Sequence, residues 1–513
     1  MNLINDIPMK NIFRKYFKII ILVPVLWSCD NGFGDFNQNP VTVSNIDPAL
    51  LFSGSVVNAA NYDPEQLTSY YHGFMQYGWS DFWFGIAYQL YDGTSSRVWG
   101  RYYGTVLKNL EYAVSELKTS TNATNTYQAS RVWRVFIYQK LTDMYGDIPY
   151  SQAAKAFETG VFTPVYDTQQ SIYTDLIKEL REARDAFDVT ANGVQGDQFY
   201  GGDVLKWKKL ANSMLLRIGM RLSKVDPTQA SALVKEAIAG GVMTSSADEP
   251  IVIYDGTTPN GFYENLGDQH FHLQKTLVSY MINSNDPRLR IYGAYYKTQQ
   301  TNDTIPATKA DLLAHAWDIN SKVSATNADS VTRVRYDLFH LQNLPYYHFP
   351  YSQVEFLLAE AVLRGYTTGS ASDHYKAAVT SHMQIMSSLA PSNPISSAEI
   401  SEYLADNALS GTEEQQIEQV SNEFWISGFL FQAEEVWSHW RRTGYPALTP
   451  VPASYIPVTG VGGSNSPGVI PRKMAYPQSE FTYNIANVTS ALAAYGGAND
   501  FNPKARVWWD KEN

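Results

Sequence analysis

The sequence predicts a mainly α-helical protein, in which about eight scaffold helices pair as four antiparallel hairpins and support an irregular lobe with few short strands. Three observations carry this. Apolar residues recur at three- and four-residue spacing through most of the middle of the chain. Capping signals mark several helix starts. Two long stretches, 243–350 and 445–513, are broken instead by Gly, Pro, Asn and Thr into short apolar pieces such as Pro250 to Tyr254.

In chain order, the first scaffold helix is expected over Val98 to Leu117. Trp133, Phe136, Ile137, Leu141 and Met144 form the apolar stripe of the second, which stops at Gly146, and Gln169 to Phe187 forms the third. Asp203 is a good N-cap for a helix carrying Trp207, Leu210, Ala211, Met214, Leu215, Ile218 and Leu222. Asp226-Pro227 supplies cap and first-turn proline for the next, which carries Leu233 and Ala237 and ends at Gly240-Gly241. Ser352 with Glu355, and Thr412 with Gln415, have capping-box spacing ahead of the apolar runs Phe356 to Leu363 and Ile417 to Phe431, and Ser372 to Met386 fills the interval. Helices in this order can stack as tetratricopeptide-like hairpins, although no sequence repeat recurs at fixed spacing. The expected layout is one domain over 29–513. Its scaffold lies mainly in 98–240 and 350–431, and its lobe mainly in 60–95, 243–350 and 445–513.

Residues 1–28 read as a secretory signal: Lys10, Arg14, Lys15 and Lys18 precede an apolar run from Ile19 to Trp27, far short of the roughly 20 residues of a bilayer crossing. Leu26-Trp27-Ser28-Cys29 fits a lipobox, with Trp27 bulkier than usual at its position, and makes Cys29 the expected lipid attachment site. Cys29 is the only cysteine among 513 residues, so no internal disulfide can form. Cleavage before it would remove four basic residues and one acid, leaving 35 Lys and Arg against 49 Asp and Glu. So acidic a chain should avoid nucleic acid and anionic lipid surfaces, and its membrane contact is expected through the anchor alone.

No HExxH, P-loop, GxSxG or CxxC motif is present, and no cofactor signature, so the expectation is a protein that is not an enzyme. Asp268, His270 and His272 have no spacing that fixes them on one face, and no metal site is assigned. Asp188-Val-Thr-Ala-Asn-Gly193 starts like a calcium loop but has Phe199 where the closing acid is required. The pairs Glu413-Glu414 and Glu434-Glu435 are adjacent, hence about 100 degrees apart on a helix, and cannot flank one glycosidic bond. A glycosidase built from distant acids is the enzymatic alternative.

Aromatic residues are the other signal, with 35 Tyr and 12 Trp in the chain. Ten aromatics lie between Tyr70 and Tyr91, where Gly73, Gly78 and Gly85 interrupt any long helix and leave rings on loops. An open ring can stack on the C–H face of a pyranose, and nearby carboxylates accept its hydroxyls. Each stacked ring gives on the order of 1 to 2 kcal/mol, so two or three reach only millimolar to high-micromolar affinity. Core filling is the competing role for any one of these rings.

Seven strings together resemble the SusD/RagB family of surface nutrient-binding lipoproteins, in its SusD-like branch. They are Thr142-Asp-Met-Tyr-Gly-Asp-Ile-Pro-Tyr150, Trp207-Lys-Lys-Leu-Ala-Asn-Ser-Met-Leu-Leu-Arg-Ile-Gly-Met-Arg221, Asn285-Asp-Pro-Arg-Leu289, Val354-Glu-Phe-Leu-Leu-Ala-Glu-Ala361, Glu435-Val-Trp-Ser-His-Trp-Arg-Arg-Thr-Gly-Tyr-Pro446, Ile470-Pro-Arg-Lys-Met-Ala-Tyr-Pro477 and Val507-Trp-Trp-Asp510. Most are structural by composition; Arg441, Arg442 and Arg472 are expected to pair with acids or carbonyl groups at buried edges. The resemblance implies four tetratricopeptide-like helix pairs beside a variable lobe. It also implies a lipid-anchored, cell-surface lid on a SusC-type TonB-dependent outer-membrane transporter that captures glycans and hands them inward. Asp30 and Asp35 loosely match the acids that such proteins carry as a surface-export signal. No ligand residue carries over from the strings, but the family's platforms lie in the lobe. That directs attention to Tyr77, Trp79, Asp81, Trp83 and Tyr88, and to Tyr263 and Trp317 on loops that also hold Phe262. A lid with little independent ligand binding is a second possibility under the same resemblance.

Overall fold

The computed structural model describes residues 46–80, 92–257, 259–266, 271–298, 301–318, 330–452, 466, 468–496 and 502–512. Its principal helices are α1 (Pro48–Gln66), α2 (Lys108–Leu117), α3 (Thr124–Tyr145), α4 (Gln169–Ala186), α5 (Val204–Arg221), α6 (Pro227–Gly240), α7 (Tyr351–Leu363), α8 (Ala371–Leu389), α9 (Ser397–Asp406), α10 (Glu413–Ser427) and α11 (Ala433–Thr443). Four hairpins form from neighbours in sequence: α3 with α4, α5 with α6, α7 with α8, and α10 with α11. Each stacks on the next, α4 on α5, α5 on α7 and α7 on α10, so one helix of each hairpin is covered both by its partner and by a neighbouring hairpin.

Several starts follow the caps read from sequence. Asp203 accepts from the N–H groups of Leu205 and Lys206, Asp226 accepts from that of Gln229, and Thr412 with Gln415 forms a complete capping box. Ser352 with Glu355 does not form one. The helix begins at Tyr351, whose N–H donates to the Glu249 carboxylate at 2.8 Å, while Glu355 takes a 2.6 Å bond to His374. A distant acid has displaced the local cap.

Two elements depart from the sequence reading. The run Ile417 to Phe431 is not one helix: α10 stops at Ser427, Leu430 has φ 68°, and α11 follows as the eighth hairpin helix. Gly428 lies so close to Val436 that an added Cβ would sit 2.1 Å from Val436 Cγ2, which is the close approach that turns the chain. The region 98–117 is helical, but it packs against α1, which extends through residues assigned to the lobe, and α2 then leans on α3.

The recurring strings converge on buried ion pairs. Asp143 accepts from Arg221 at 3.2 Å, from the Trp509 indole at 2.7 Å and from the Tyr173 hydroxyl, while Arg221 also meets Glu435 at 2.5 Å. Arg442 grips Glu360 at 2.5 and 2.6 Å, Arg472 grips Asp510 at 2.7 Å twice, and Arg441 lies over the Trp437 and Trp509 rings. Arg288 holds Asp286 and Glu423 at 2.6 and 2.7 Å with all three buried. Breaking any one would leave an uncompensated interior charge, at about 3–5 kcal/mol. These residues fix how the hairpins seat on one another.

The lobe is built on a five-stranded antiparallel sheet in the order Gly78–Ser80, Phe271–Leu273, Val331–Val334, Gly293–Tyr296, Thr304–Ile305. Short helices Gly261–Leu266, Lys275–Asn283 and Tyr336–Phe339 surround it, the first packing on α1.

Candidate functional site

The half-buried rings of the lobe are the place to seek a ligand surface. Phe262 of the short helix Gly261–Leu266 is buried against Tyr346 and Phe431, which turns the next residue, Tyr263, toward solvent. There its ring stacks on His340, with centroids 4.3 Å apart and planes 22° from parallel. His340 stacks in turn on Tyr336 at 4.3 Å and 17°. All three are half-buried. Asn260 pins this corner: its side-chain amide donates to the Leu341 and Gln342 carbonyls, and its oxygen accepts from the Tyr263 N–H at 3.0 Å. Arg335 holds the other end, bonding Asp337 at 2.7 and 2.5 Å, which raises the guanidinium pKa further above its ordinary value. The result is a fixed three-ring column, whose Tyr263 end can meet a flat apolar ligand face.

The remaining candidates separate. Tyr77 is fully buried: its ring stacks on Trp425 at 5.6 Å, its hydroxyl donates to the Trp425 carbonyl, and burial drives the phenol pKa well up. It is a core residue and cannot be a sugar platform, and Tyr70, Tyr71 and Phe74 are buried with it. The Gly that follows Tyr77 starts the sheet, in register with Leu273. Trp317 is only 8% exposed, wedged at the end of the sheet by bonds from its N–H to the Leu273 carbonyl and from the Lys275 N–H to its own carbonyl, so it presents no open face. Trp79 lies on the edge strand in register with His272, and His272 faces Arg333 and then Ala294, so these last three share one face of the sheet. On that face the Arg333 guanidinium lies 4.1 Å over the Tyr296 ring. Cys29, Asp81, Trp83 and Tyr88 lie outside the described residues, as do Asp268 and His270, whereas His272 is a buried strand residue.

Sequence reasoning reached Tyr263 but not its two partners. Tyr336 and His340 share a single helical turn at four-residue spacing, a weak signal, and only the fold brings them to Tyr263. Among the described residues no group of three or more His, Cys, Asp or Glu side chains is placed to hold a metal ion. No helix among them is long and apolar enough to cross a membrane.

Stacked helix hairpins bearing an irregular lobe with a ring column define a helical-repeat scaffold that carries a non-repetitive lobe. Over residues 40–477 the sequence matches the model of the SusD-like family, described as starch-binding and associating with the outer membrane, and the chain belongs to that family. Among solved structures it is similar to a chitin-binding protein, at 30% identity and TM-score 0.76, covering 91% of this chain and all of that one. It also resembles a SusD-like protein of the Bacteroidetes (24% identity, TM-score 0.77) and a SusD homologue from Bacteroides fragilis (23%, 0.73), each over 91% of this chain and 100% of the other. No curated protein sequence matches it.

Proposed function

We propose that the protein is a cell-surface glycan-binding lipoprotein, anchored through Cys29 after removal of residues 1–28, that captures oligosaccharides and delivers them to a SusC-type TonB-dependent outer-membrane transporter. Residues 29–513 act as one binding domain, and no catalysis is involved. Family membership supports the glycan and outer-membrane parts of this reading. The geometric observation that carries the binding role is the Tyr263–His340–Tyr336 column, a rigid aromatic surface placed on the lobe and not in the core. Stacking a pyranose on the Tyr263 face contributes on the order of 1 to 2 kcal/mol, so its loss weakens binding roughly 5- to 30-fold.

The similarity to a chitin-binding protein makes chitin oligosaccharides the first probe, with starch oligosaccharides second. Calorimetric titration of the mature protein with chitohexaose and maltohexaose should give saturable binding to one of them. Tyr263→Ala should weaken it by that factor while the melting temperature stays within a few degrees. Full retention of affinity in the variant would remove the column from the binding surface.

A further inference from the structure

A cleft lies beside Arg290, a residue one hydrogen bond away from Arg335 at the end of the ring column. Arg335 immediately precedes Tyr336, and its guanidinium donates to the Arg290 carbonyl at 3.0 Å. The Arg290 side chain turns the other way, toward α9, where Glu399 accepts at 2.6 and 3.1 Å and the Pro394 carbonyl at 2.9 Å. Between the lobe and α9 lies an open volume of about 540 Å³, lined among others by Arg290, Lys309, Glu399, Glu402, Tyr403 and Asp406. That size falls within the range of ligand clefts.

The lining has unspent hydrogen-bonding capacity. Glu402 and Asp406 stand one helical turn apart on the same face of α9, both exposed, and neither side chain bonds another described residue. Lys309 donates to the Asn285 amide oxygen at 3.0 Å, with donors to spare. Arg290 is paired with Glu399, and Asp286 on the floor with Arg288, which it shares with Glu423; Glu402 and Asp406 then set two carboxylates against the Lys309 ammonium at the opening. Carboxylates accept from hydroxyls and amines and repel anionic groups.

We infer that this cleft is a second saccharide subsite, joined to the Tyr263–His340–Tyr336 column across Arg335, and that together they take a neutral or amino-substituted oligosaccharide long enough to occupy both. The inference rests on the glycan-binding reading and adds to it a ligand length, a charge class and a second set of residues.

The test is calorimetric titration of the mature protein with chitohexaose, maltohexaose, their disaccharides and hexagalacturonate. The double variant Glu402→Ala, Asp406→Ala should bind the preferred neutral hexasaccharide at least 5-fold more weakly, with an unchanged melting temperature and unchanged disaccharide binding. Hexagalacturonate should bind wild-type protein at least 10-fold more weakly than the neutral hexamer. If the double variant binds the hexamer as wild type does while Tyr263→Ala weakens it, the cleft is overturned and the glycan-binding reading stands. Equal or tighter binding of hexagalacturonate overturns the charge class. Absence of binding to every neutral probe by wild-type protein overturns both readings together.

Discussion

Replacing Gly146 with alanine tests why a glycine closes α3 in the Tyr145-Gly-Asp-Ile-Pro149 turn. Gly146 has φ 78° and ψ −120°, a conformation that costs an alanine about 1–3 kcal/mol. An added Cβ would also lie 2.2 Å from the Tyr495 hydroxyl oxygen and 2.7 Å from its ring carbon. The ring would have to withdraw, and its hydroxyl is occupied: it donates to the Asp147 carboxylate at 2.8 Å and accepts from the Asp147 N–H at 2.8 Å. Losing both bonds costs about 1–3 kcal/mol more, so Gly146→Ala should destabilise by about 2–6 kcal/mol in all. Tyr495→Phe alone forfeits the bonds but not the glycine's fit. In the double variant the bonds are lost only once, so the combined effect should fall short of the sum by about 1–3 kcal/mol. Urea unfolding followed by tryptophan fluorescence measures all four proteins. Strict additivity, or a Gly146→Ala variant within 0.5 kcal/mol of wild type, would refute the account of this turn.

Three further outcomes are expected. Burial raises the Glu249 carboxyl to about 7, well above its unfolded value, so its contribution to stability is full below about pH 4.5 and is lost as pH rises through 7. Glu249→Gln, which keeps an acceptor for the Tyr351 N–H, should therefore gain on wild type in unfolding free energy between pH 5 and pH 8, by up to about 3 kcal/mol, as urea unfolding across that range would measure; parallel pH profiles would contradict this. Tyr77→Phe removes the bond to the Trp425 carbonyl and should cost about 1 kcal/mol of stability while leaving glycan affinity unchanged, as calorimetry on a folded sample would report. Cys29→Ser should abolish incorporation of labelled palmitate and release the protein from the membrane fraction; equal labelling of variant and wild type would remove the anchor.

What the sequence made legible was local. Asp203, Asp226 and Thr412 cap their helices because the capping oxygen and the orphan N–H groups lie within three residues of each other. The failures come from distant partners. Glu249 displaces the box at Ser352 from a hundred residues away, and the turn at Gly428 depends on Val436 packing against it. Tyr77 has the composition of an exposed aromatic loop, yet its ring and hydroxyl both meet Trp425, nearly 350 residues on. The same limit applies to function: Tyr263 was visible as a candidate, whereas Tyr336, His340 and the cleft beneath α9 exist only once the lobe has folded against the scaffold.

The most direct test of the account is a crystal structure of the mature protein soaked with the hexasaccharide that calorimetry selects. A sugar ring lying flat on the outer face of Tyr263, with the chain running past Arg335, is the expected result. A well-ordered oligosaccharide bound elsewhere, with the Tyr263 face bare, would contradict it.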